Sequence, residues 1–147
     1  MKKIGEYTTR GQMPEGEEVR IQLFDGRFDT AYRLVDIRIC SGDLGSTGDD
    51  ACVRVSTESI GAMPSSGDMI NFADNRQIAW CGVSGQSNGF ENVSPIVDPD
   101  NLIVEDMFIS GQHGSSDPIN YILYLEKYEI TDWQGALALV RNSAQDV

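Results

Sequence analysis

Val19-Arg20-Ile21-Gln22-Leu23, then Phe24-Asp25-Gly26-Arg27-Phe28, then Val35-Asp36-Ile37-Arg38-Ile39: the reading of the whole chain turns on this stretch. In both flanking runs apolar and polar residues alternate, so successive side chains go to opposite faces of an extended strand. Each run is expected to be a half-buried strand with one wet face. The Asp25-Gly26 pair between them signals a tight hairpin, with aromatic residues pairing across the turn. Val53 and Val55 flank Arg54 in the same alternation.

Working outward, further strands are expected at about 69–83, 101–110 and 118–130. In the last, Tyr121, Leu123 and Leu125 share one face while Ile122 and Tyr124 take the other, as in a central or doubly covered strand. Clusters of Gly, Pro, Ser, Asn and Asp at 41–50, 61–68, 84–95 and 111–118 separate the runs. Seven or eight strands with such loops give an all-β fold, an antiparallel β-sandwich. A jelly roll is the first choice, although strand number alone does not separate it from an immunoglobulin-like sandwich.

The C-terminus departs from period two. Thr131-Asp132-Trp133-Gln134 has capping-box spacing, and the short α-helix it opens, about 132–143, aligns Trp133, Ala136, Leu137 and Val140 on one stripe. Gly135 weakens that helix by about 1 kcal/mol relative to Ala. So short a helix must dock, on its own sandwich or on a neighbouring subunit. The expected organisation is a sandwich over 1–130 and a helix with tail over 131–147, with Trp133, Leu137 and Val140 as candidate interface residues.

With 147 residues, 40 % of them hydrophobic and 23 % charged, the chain has ordinary globular composition and suffices for one packed domain. The net charge of −12 repels phosphate backbones, and the eleven Lys and Arg are scattered, so direct nucleic-acid binding is not expected. Met1-Lys2-Lys3-Ile4-Gly5-Glu6 lacks the apolar run of a signal peptide or membrane anchor. Cys40, Cys52 and Cys81 are odd in number and widely spaced; Cys40 and Cys52 sit in strand-like runs and are expected to be reduced core residues.

No catalytic set assembles from the residues. The only histidine, His113, lies in Ser110-Gly111-Gln112-His113-Gly114-Ser115-Ser116-Asp117, which reads as an exposed turn unsuited to holding a general base. Glu105 and Asp106 are adjacent, so in a strand they point to opposite faces and cannot converge on one substrate. The oxygen-rich, glycine-rich loop 41–50 offers Asp43, Asp49 and Asp50 to a hard cation, making Ca2+ the one cofactor to consider; Asp98-Pro99-Asp100-Asn101 is a weaker version of the same idea. Ser84-Gly85-Gln86-Ser87-Asn88-Gly89-Phe90 lacks the Lys of a phosphate loop and reads as a long surface loop. Trp80 is expected in a core rather than on a sugar-stacking platform.

Three stretches together carry a resemblance: Phe24-Asp25-Gly26-Arg27-Phe28, Asp74-Asn75-Arg76-Gln77-Ile78-Ala79-Trp80, and most of 96–145, including Ile96-Val97-Asp98-Pro99-Asp100-Asn101 and Leu125-Glu126-Lys127-Tyr128-Glu129-Ile130-Thr131-Asp132-Trp133. They resemble small structural proteins encoded by environmental, especially marine, phages. The resemblance implies a non-enzymatic virion component in capsid, vertex or decoration, made in the host cytoplasm without a signal peptide. It implies a homo-oligomer that also contacts other virion proteins, without membrane insertion, and it transfers no functional residue. A different class of function stays open: a carbohydrate- or cell-surface-binding sandwich module, calcium-assisted through 41–50.

Overall fold

The computed structural model describes residues 2–27, 29–43, 50–83 and 93–130. Eight strands run in chain order: β1 (Lys2–Met13), β2 (Glu18–Ile21), β3 (Thr30–Ser41), β4 (Ala51–Ser56), β5 (Gln77–Val83), β6 (Val93–Val97), β7 (Met107–His113) and β8 (Ile119–Glu129). They form two antiparallel sheets, one ordered β1-β8-β3 and the other β2-β7-β4-β5-β6. The protein is an all-β antiparallel sandwich, and no helix occurs among the described residues. The helix expected over about 132–143, with Trp133, Leu137 and Val140, lies outside them.

The core forms where the inward faces meet. Val53 and Val55 of β4 and Met107 and Ile109 of β7 face Leu34 and Ile37 of β3 and Ile119 and Leu123 of β8, all fully buried. Each such side chain contributes about 1.5–3 kcal/mol on leaving water. β8 is central, as its two-faced apolar pattern predicts: Tyr121, Leu123 and Leu125 point into the core, while Tyr124 on the other face is exposed.

Three sequence expectations change. The Asp25-Gly26 segment is not a hairpin turn, because β2 pairs with β7 and β3 with β8, so it carries the chain from one sheet to the other. The N–H groups of Leu23 and Phe24 go to the Asp106 carboxylate instead of a partner strand (3.0 and 3.4 Å). The Asp25 carboxylate holds the turn by accepting from the Arg27 N–H and the Thr30 hydroxyl, with Gly26 at φ 86°. The expected pairing of Phe24 with Phe28 involves Phe28, outside the described residues.

Next, Val35 is exposed although it sits in the apolar series with Ile37 and Ile39. A bulge between Leu34 and Asp36 makes it the extra residue, so Leu34 opposes Leu125 and Ile37 opposes Leu123 across the bulge. Finally, the run at 69–83 is strand only from Gln77, and that at 101–110 only from Met107. Residues 101–103 instead cover the edge of β3 at Tyr32–Leu34. Tyr32 exchanges two backbone hydrogen bonds with Ile103 (2.8 and 2.7 Å). One step along, the Asn101 carboxamide accepts from the Leu34 N–H (2.9 Å) and donates to its carbonyl (3.0 Å), standing in for a strand residue.

Candidate functional site

The far face of the five-stranded sheet carries Arg54, Trp80 and Ser110, opposed in register across β4, β5 and β7, with Gln112 two residues along β7 opposite Cys52. Alternation predicts a wet face for Arg54, yet Arg54, Trp80 and Ser110 are all buried. Residues 57–76 lie across them as a strap. Polar side chains fasten it: Gln112 Nε2 donates to the Met63 carbonyl (2.7 Å), Glu18 accepts from the Ser59 hydroxyl and the Ile60 N–H, and Gln77 Oε1 accepts from the Asn71 N–H and the Trp80 indole. Phe72 packs edge-on against Trp80 at 4.6 Å between centroids. Trp80 is thus buried, as expected of a core residue, but under the strap and outside the cluster between the sheets.

Arg54 donates to the Met69 carbonyl (3.2 Å) and more weakly to that of Gly61 (3.5 Å), while its Nε has no hydrogen-bond partner among the described residues. Burial holds this guanidinium below its ordinary pKa. The carboxylates of Asp74, Glu18 and Asp68 oppose that shift from a distance without overcoming it.

Where strap and sheet separate, a cavity of about 560 Å³ opens, lined by Cys52, Ser65, Met69, Gln112, His113 and Asp50 among others. Burial pushes the Cys52 thiol up to about 11, which keeps it protonated at neutral pH. At the mouth, His113 is the last residue of β7, and it is buried rather than exposed in a loose turn. Its Nδ1 accepts from the Ser115 N–H (3.0 Å), which places the ring proton on Nε2, 2.7 Å from Ser41 Oγ. Ser41 therefore accepts from His113 and from the Asp43 N–H, and donates to the Asp43 carbonyl. A serine nucleophile needs the reverse, with an imidazole nitrogen accepting the hydroxyl proton. In this arrangement the pair ties the end of β3 to the end of β7.

The candidate cation ligands bracket that contact. Asp43 is exposed at the end of β3, and Asp50 is half-buried before β4, its carbonyl accepting from the Gly114 N–H. Asp49, the third member, lies outside the described residues. Among those described, no three His, Cys, Asp or Glu side chains are placed to share an ion. The Asp98 carboxylate accepts from the Asp100 N–H in a local turn (3.0 Å). Glu105 is exposed, while Asp106 is buried against Arg20, so these two do not converge.

The cysteines divide by face. Cys81 points into the core, Cys52 is half-buried under the strap, and Cys40 is exposed, against the expectation of a core position. Its alternation with Ile39 already sends it outward. Sequence reasoning missed the strap and the buried Arg54; the clustered Met63, Met69, Ile70 and Phe72 within a Gly/Ser-rich segment were the available signal. No family model, curated protein or solved structure matches the chain.

Proposed function

We propose that this protein is a virion structural component, in capsid, vertex or decoration, that works through protein–protein contacts in a symmetric assembly and catalyses no reaction. The observation carrying this reading is the nested strand order. β1 pairs with β8, β2 with β7 and β4 with β5, while β3 lies against β6. That nesting supports a jelly roll, the double-sheet architecture of many capsid domains. The resemblance of 24–28, 74–80 and 96–145 to phage structural proteins supports it further. A net charge of −12 favours an outer layer over one lying on packaged nucleic acid. Within this reading the chain associates with itself and with other virion proteins, and Trp133, Leu137 and Val140 supply an apolar contact stripe.

The test is association. The purified chain is sized by light scattering, and particles carrying its gene are searched for it by mass spectrometry. An oligomer that co-purifies with particles is the expected result; a strict monomer absent from them overturns the proposal.

A second reading, a carbohydrate- or cell-surface-binding module, draws on the cavity beside Gln112, Asp50 and His113. Its calcium-assisted form would use Asp43, Asp49 and Asp50. Glycan-array binding that is abolished by chelation would favour it.

A further inference from the structure

β1 is the longest open edge in the described structure. It has twelve residues, and no strand among the described residues lies on its far side. The other edges are blunted: β3 by 101–103 along Tyr32–Leu34, β2 by its four-residue length, and β6 by Pro95. β1 also exposes two large apolar side chains, Ile4 at 47 % and Tyr7 at 50 %.

The sequence of this edge complements itself. If two copies meet antiparallel about a two-fold axis with their core faces on the same side, facing residues must have the same parity. The axis then passes through a residue. Centred on Thr8, the register sets Glu6 of each copy opposite Arg10 of the other, twice. Thr8 faces Thr8, and Tyr7 faces Thr9. Centring on Tyr7 sets Glu6 against Thr8, and centring on Thr9 sets it against Gln12, so neither neighbouring register pairs opposite charges. Glu6, Thr8 and Arg10 are all exposed on the outward face. Glu6 already holds Lys3 (2.7 Å), whereas Arg10 has no acidic partner among the described residues. The bulge at Ile4 ends the regular ladder at Gly5, leaving Gly5–Gly11 as the pairing segment.

We propose that β1 is a homotypic interface: a second copy of this chain adds its own β1 antiparallel in the Thr8-centred register, joining two three-stranded sheets into one of six. The inference rests on the self-association in the reading above and names where it occurs. The main chain supplies the ladder, and the reciprocal Glu6–Arg10 pairs select the register.

Sedimentation velocity over a range of concentrations tests it on the full-length wild type, Glu6→Arg, Arg10→Glu, and an equimolar mixture of the two variants, with circular dichroism confirming that each is folded. Each variant alone places like charges at both facing pairs and is expected to raise the dissociation constant about tenfold or more. In the mixture both facing positions again carry opposite charges, and association is expected to return toward wild type. Variants that associate like wild type, or a mixture no better than its components, overturn the β1 contact. An oligomeric wild type indifferent to both changes does so while leaving the structural-protein reading intact. A monomeric wild type overturns the β1 contact, and particle association then decides that reading separately.

Discussion

Replacing Asn101 with Ala removes a side chain that serves as a piece of strand. Its carboxamide accepts from the Leu34 N–H at 2.9 Å and donates to the Leu34 carbonyl at 3.0 Å and to the Asp98 carbonyl at 2.6 Å. Asn101 is 4 % exposed and Leu34 1 %. Alanine leaves two buried main-chain groups of Leu34 unpaired, and each such group costs about 1–3 kcal/mol. The expected loss is roughly 2–6 kcal/mol, a large part of the ~5–15 kcal/mol of a typical domain. In urea, with a slope of about 2 kcal/mol/M, the midpoint falls by about 1–3 M at unchanged slope. Asn101→Asp keeps the acceptor but sets a second oxygen against the Leu34 and Asp98 carbonyls, so at neutral pH it is expected to do no better than Ala. The exposed Gln22→Ala should change stability by less than about 0.5 kcal/mol. A loss below about 1 kcal/mol for Asn101→Ala would refute the account of how the β3 edge is covered there.

Other regions give equally direct tests. A Cβ at Gly111 would lie 2.8 Å from the Cys52 carbonyl and from Val53 Cγ1, so Gly111→Ala is expected to cost about 3 kcal/mol in the same urea assay. Burial pushes the Asp106 carboxyl up, but the Arg20 guanidinium and the Leu23 and Phe24 N–H groups outweigh it and hold it below the ordinary range; the Arg76 guanidinium does the same for Asp74. Carboxyls depressed in the fold stabilise it above their unfolded values near pH ~4, and that stability is lost as pH falls through the folded ones. Urea midpoints taken from about pH 5 to 2 should fall, and Asp106→Asn should flatten the decline while lowering the neutral-pH midpoint. Iodoacetamide at pH ~8 should label Cys40 first and leave Cys52 and Cys81 slow until denaturant is added, with the sites read by peptide mass spectrometry.

The strands that alternate cleanly were legible because period two is a local property. Val19 and Ile21, Val53 and Val55, and Tyr121, Leu123 and Leu125 each point to one side whatever they pair with. β1 was not legible, since Lys3, Glu6, Thr8 and Arg10 interrupt any apolar series in a strand that buries fully only Met13. The turn at Asp25-Gly26 misled because its local signature is the same whether the flanking strands pair with each other or part. Asp106, more than eighty residues away, decides that by capturing the Leu23 and Phe24 N–H groups.

The site divides along the same line. Sequence singled out His113, Asp43 and Asp50 by residue type, and the fold brings the ends of β3, β4 and β7 that carry them into one neighbourhood. It could not say that His113 is buried, or that its Nε2 proton faces Ser41, because both follow from where Ser115 and Ser41 return in space. Nor could it show Arg54 sealed beneath 57–76. What the sequence by itself determined was an all-β chain with apolar faces and an acidic surface, since side-chain alternation and charge are written residue by residue. Which strands neighbour which, which edge stays open at β1, and which polar groups lose water were decided only by tertiary structure. Hydrogen-bond partners far apart in the chain settle all three.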